Sequence, residues 1–158
     1  MAARKIRIVL IEDSVTVRFF YKGVFEKSGF EVLEAENAKI GWNIICAQKP
    51  DIIVLDMLMP QIPGIELLKQ IRSAEFSRDI PVLVLTSVKD SDQVREMFKV
   101  GADHYLLKGM DSPDSVKEIV YNLLKKKAEK QVTQVLDGQE SPQSSPPSKN
   151  SIDQFWWF

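Results

Sequence analysis

Short apolar runs alternate with amphipathic stretches through most of this chain, and no other feature limits its fold so much. Strands are expected at about residues 5–11, 30–34, 51–55, 81–85 and 103–107, where aliphatic and β-branched residues cluster. Helices are expected at about 14–28, 38–48, 64–73 and 91–100 and from Pro113 onwards, because apolar residues recur there every three or four positions. In the first helix Val17, Phe20, Tyr21, Val24 and Phe25 carry that spacing, and in the last Val116, Ile119, Val120, Leu123 and Leu124 form the expected buried stripe. The punctuation agrees. Asn37 is a good N-cap, Asp90 with Gln93 three residues on reads as a capping box, and Ser112-Pro113 opens the last helix. Gly29 and Gly101 stop helices, and Pro50 disfavours a helical residue before it. Ile52-Ile53-Val54-Leu55 is apolar on both faces, as a central parallel strand should be. Successive βα units of this kind predict an α/β domain with a parallel sheet and right-handed crossovers.

Four of the apolar runs end in residues that handle a metal or a phosphoryl group. Glu12-Asp13 follow the first, Asp56 the third, Thr86-Ser87 the fourth and Lys108 the fifth. In an open parallel sheet, sites form beyond the carboxyl ends of the strands, so one fold gathers residues that are far apart in the chain. Three carboxylates gathered there repel one another unless a cation lies between them. Oxygen donors favour a hard cation, Mg²⁺ above all, and the absence of any His/Cys cluster argues against zinc. Asp56 then has two available roles, metal ligand and nucleophile toward phosphorus. Phosphoryl transfer is mainly positioning and charge neutralisation, which suits Lys108 as a point charge and the Thr86 hydroxyl as a donor.

The stretches Ile-Glu-Asp-Ser ending the first strand, Leu-Asp-Met-Leu-Met-Pro-Gln-Ile-Pro-Gly around Asp56, Leu-Thr-Ser after the fourth and Gly-Ala-Asp-His-Tyr-Leu-Leu-Lys at the fifth resemble the receiver domain of bacterial two-component response regulators. The resemblance covers about residues 4–127. It implies a flavodoxin-like, doubly wound five-stranded parallel sheet in order 2-1-3-4-5 with five helices. It implies that Asp56 accepts a phosphoryl group from a sensor histidine kinase. Asp13, Asp56 and the backbone carbonyl of Leu58 are implied as Mg²⁺ ligands, with Glu12 acting directly or through water. Thr86 and Lys108 are the implied phosphoryl contacts, and Thr86 and Tyr105 the switch pair. Such a protein promotes its own phosphorylation and dephosphorylation and is not otherwise an enzyme. Its output partner is expected on the face formed by the fourth helix, fifth strand and fifth helix.

The chain departs from the family pattern in places. Gly109 follows Lys108 where proline is usual, which should make that loop more pliable. Leu58, two positions past Asp56, is apolar, which disfavours a dehalogenase-like phosphatase with a second Asp there. Pro63-Gly64 replaces a more usual Asp-Gly and should stiffen the start of the third helix without touching a site residue.

The receiver is expected to occupy residues 1–130. Residues 131–151 read as a helix extension, in which Val132, Val135 and Leu136 weakly continue the last stripe, followed by a flexible linker. From Gln139 to Ser151, eight of thirteen residues are Ser or Pro, a composition that buries no core. The closing Phe155-Trp156-Trp157-Phe158 reads as a docking motif, since exposed aromatic clusters usually mark contacts. After the receiver only about thirty residues remain, too few for a DNA-binding output domain. The leading reading is therefore a stand-alone switch, like chemotaxis regulators that contact a flagellar motor, or a phosphate relay. The alternative is an adaptor whose aromatic tail recruits a partner or docks on its own receiver. A net charge of −1 shows no footprint for nucleic acid, and no apolar run approaches a membrane span. With a single cysteine, Cys46, on a helix, these features point to a reducing, cytoplasmic setting. His104 reads as an exposed surface residue and Lys125-Lys126-Lys127 as a solvated helix end.

Overall fold

A computed structural model describes residues 2–137, so the linker beyond the last helix and Phe155-Trp156-Trp157-Phe158 lie outside the described residues. The elements run β1 (Arg7–Ile11), α1 (Val15–Lys27), β2 (Glu31–Ala35), α2 (Ala38–Gln48), β3 (Ile52–Asp56), α3 (Gly64–Ser73), β4 (Val82–Thr86), α4 (Ser91–Val100), β5 (His104–Leu107) and α5 (Pro113–Leu136). All strands are parallel, in the order β2-β1-β3-β4-β5. The expected architecture is therefore the observed one.

Alternation along each strand divides the core in two. Ile8, Leu10, Ile52, Val54, Leu83, Leu85 and Leu106 pack with Tyr21 and Phe25 of α1 and Val116 and Val120 of α5. Val9, Ile11, Ile53, Leu55, Val82 and Val84 pack on the opposite face with Trp42 and Ile45 of α2, Leu67, Leu68 and Ile71 of α3 and Met97 of α4. Every side chain of β3 and β4 is buried, as strands covered on both faces require. Asn37, Asp90 and Ser112 cap their helices through side-chain oxygens, and Cys46 is buried, which pushes its thiol up to about 11.

Several expectations need correction. β3 and β4 each run one residue further than their apolar runs, because the ladder continues through Asp56 and Thr86. Both polar residues are thus strand members and not loop residues. Phe20 does not join the buried stripe of α1 but stays 51% exposed. Leu123 is the last buried residue of α5; Val132, Val135 and Leu136 are exposed rather than a continuation of the core stripe. His104 is half-buried at the sheet edge, with its ring 6.3 Å from that of Tyr105. Among the described residues, no helix is long and apolar enough to cross a membrane.

Candidate functional site

Parallel pairing brings the carboxyl ends of β1, β3, β4 and β5 to one edge of the sheet. Glu12, just past the end of β1, and Asp56, ending β3, are fully buried there, at the point where strand order reverses, and Asp13 beside them is exposed. Each buried carboxylate takes a backbone amide two residues on. Glu12 Oε1 accepts the Ser14 N–H at 3.0 Å, and Asp56 Oδ1 accepts the Leu58 N–H at 3.0 Å. Lys108, carried past the end of β5, places Nζ 2.8 Å from Glu12 Oε2 and 3.1 Å from Asp56 Oδ1. Asp56 Oδ2 has no hydrogen-bond partner.

Burial pushes the Asp56 carboxyl up to about 7, and the negative charge of Glu12 adds to this, against the pull of the Leu58 amide and Lys108. Burial works against the charge on Lys108, but pairing with Glu12 and Asp56 outweighs it and holds the ammonium proton more tightly than usual. One ammonium thus faces three carboxylates. Oxygens of Glu12, Asp13 and Asp56 lie within 4.8 Å of one another. Excess negative charge, an all-oxygen donor set and a buried oxygen without a partner fit a hard divalent cation.

Thr86 is buried, and its hydroxyl oxygen accepts the Val88 N–H at 3.0 Å, leaving the hydroxyl proton available for donation. Tyr105 is half-buried on the α4 side of β5, its ring edge-on to Phe98 at 5.9 Å and 80°. The structure therefore gathers Glu12, Asp13, Asp56 and Lys108 directly, and places Thr86 at the end of the strand beside β3. Tyr105 faces α4, away from the carboxylates.

Two supporting residues escaped the sequence reading. Arg18 Nη1 donates to the Glu12 carbonyl at 2.8 Å, while its Nε lies 3.4 Å from Glu34 Oε1, so α1 holds the β1–α1 loop. Nothing local in the sequence signals this. Gly64 lies close against the end of β3: a Cβ there would collide with the Asp56 carbonyl oxygen, and the Gly64 N–H donates to the Met57 carbonyl at 3.1 Å. The Pro63-Gly64 pair was the available signal, since a glycine at a helix start can mark close backbone approach.

Comparison with known proteins agrees with this geometry. A family model described as the response regulator receiver domain matches residues 8–121. The phosphate regulon transcriptional regulatory protein PhoB of Pseudomonas aeruginosa is 35% identical over 116 residues, covering 73% of this chain and 49% of that protein. The chain thus spans about half the length of the phosphate-regulon regulators it matches. Protein PilH of Pseudomonas aeruginosa is 32% identical over 114 residues, covering 72% of this chain and 93% of PilH. The solved receiver domain of a Francisella response regulator superposes with a TM-score of 0.70 at 30% identity, covering 77% of this chain and 98% of that one.

Proposed function

The chain belongs to the response regulator receiver domain family, and on that premise we propose that it is a phosphorylation switch whose acceptor is Asp56. The observation that carries this reading is a fully buried carboxylate ending the central strand, with one oxygen unpartnered and an ammonium 3.1 Å from the other. An Asp56 oxygen attacks the phosphorus of a phosphohistidine on a sensor histidine kinase. The P–N bond breaks, its electron pair leaves with the imidazole, and an acyl phosphate remains on Asp56. Glu12, Asp13, Asp56 and the Leu58 carbonyl would hold Mg²⁺, which when bound supplies positive charge to the phosphoryl oxygens. Lys108 exchanges its carboxylate contacts for a phosphoryl oxygen, and Thr86 donates its hydroxyl proton to another.

The mouth of the site supports a protein donor. Val15, Leu58 and Met110, each two positions past Asp13, Asp56 and Lys108, are 70%, 57% and 70% exposed. This apolar rim offers a seat for a docking surface and sheds water from the reacting groups. The output follows from Thr86 moving toward the phosphoryl group and Tyr105 repacking against Phe98, which lies partly exposed on α4. A partner reading the α4–β5–α5 face senses that change.

The test is incubation with acetyl phosphate and Mg²⁺ followed by mapping of the label. Wild type should carry it on Asp56, and Asp56→Asn should lose it by about 100-fold or more. Undiminished labelling of that variant sinks the assignment.

A further inference from the structure

Three successive amides fix the turn that carries Lys108. The Lys108 N–H donates to the Thr86 carbonyl at 2.9 Å, the Gly109 N–H to the Tyr21 hydroxyl at 3.3 Å and the Met110 N–H to the Leu107 carbonyl at 3.1 Å. The first and third join backbone to backbone within the β4–β5 edge. The middle one crosses to α1, and its acceptor is a side chain 88 positions earlier.

Gly109 has φ +75°, and a Cβ built there meets nothing within 4 Å. Glycine therefore serves the backbone angle and not a lack of room. A proline at this position would have no N–H to give. Tyr21 is equally suited to its half of the contact. It is 2% exposed, edge-on to Phe20 at 5.1 Å and packed with Phe25, Leu106 and Val116. The core fixes the ring, so its hydroxyl is a stationary acceptor beside a turn that glycine alone leaves free.

We propose that Tyr21 is a positioning residue for Lys108: its hydroxyl holds the Gly109 amide and so aims the Lys108 ammonium at the space between Glu12 and Asp56. A long lysine arm magnifies small rotations of the turn at its base. Small misplacement of a charged group in a reacting site lowers the rate while leaving the other groups in place. Glu12, just past β1, and Asp56, ending β3, lie outside this turn, and each carboxylate accepts a backbone amide two residues on.

The proposal rests on Lys108 serving an acyl phosphate at Asp56, and the experiment separates the two. Full-length wild type, Tyr21→Phe and Asp56→Asn are labelled with acetyl phosphate, titrated with Mg²⁺, and observed through the Lys108 side-chain ¹⁵N and ¹³C resonances. Tyr21→Phe keeps the ring and removes only the hydroxyl. It should slow labelling about 3- to 10-fold, the scale of one lost hydrogen bond, and shift the Lys108 signals. Its Mg²⁺ affinity should stay within about two-fold of wild type, because the acids are held separately. Wild-type labelling, unmoved Lys108 signals, or a parallel loss of Mg²⁺ affinity in Tyr21→Phe would each overturn the positioning role. Undiminished labelling of Asp56→Asn with shifted Lys108 signals in Tyr21→Phe would leave the hold standing and remove the phosphoacceptor reading instead.

Discussion

The two walls of the site are built differently. Glu12 and Asp56 close the acidic wall from β1 and β3, interior strands of the sheet, and both are fully buried. Backbone amides grip their carboxylates, Arg18 grips the Glu12 carbonyl, and Gly64 lies against the Asp56 carbonyl. Lys108 forms the opposite wall from the edge strand β5, on a four-carbon arm, from a turn that a tyrosine hydroxyl ties to α1. The acids must hold one geometry, and backbone-level contacts supply it. On the proposed reading the lysine trades a carboxylate for a phosphoryl oxygen, and an arm at the sheet edge permits that.

The largest expected effect comes from removing the mobile wall. Lys108→Met leaves Glu12 and Asp56 buried without their counter-charge, and breaking a buried pair in this way costs about 3 kcal/mol. Thermal unfolding in chelator should show that loss, and Mg²⁺ should recover a larger share of it than it adds to wild type. Equal Mg²⁺ stabilisation of the two proteins would deny that ammonium and cation neutralise the same carboxylates.

Gly64→Ala attacks the rigid wall through the backbone. The clash with the Asp56 carbonyl should cost about 2–3 kcal/mol by denaturant unfolding, and Mg²⁺ should not restore it. A neutral substitution would show that the loop has slack and the acidic wall is less fixed than its contacts indicate.

The walls also separate by pH. The ordinary Asp carboxyl near 3.8 is raised to about 7 in the folded protein. Below the lower value both states hold the proton. Between the two values the unfolded chain releases it and the folded chain keeps it, so wild type loses stability as pH rises, until the folded group also ionises near 7. In chelator, the melting temperature of Asp56→Asn relative to wild type should therefore climb between these limits and level off above them. A pH-independent difference would contradict the raised carboxyl.

The smallest expected change is at the rim. Leu58 is 57% exposed two residues past Asp56, and its apolar side chain gives attacking water no partner. Leu58→Asn should shorten the acyl-phosphate half-life about two- to five-fold, measured by label decay. A longer half-life in the variant would assign water exclusion to other residues.

What the chain determines by itself is local and periodic. The bounds of α2, α3 and α4 match their expected positions, because caps, stops and helical spacing act over a few residues. The residues at the strand ends were legible for the same reason, and parallel topology then required that they meet. Folding alone decided that Glu12 is buried while its neighbour Asp13 is exposed, that Phe20 faces outward beside a buried Tyr21, and that Gly64 presses on Asp56. It also decided that Tyr21 holds Gly109 across 88 positions. Burial depends on what other elements cover a residue, and a hydrogen bond between two layers leaves no period in the chain, so neither can be read until the sheet and its helices are in place.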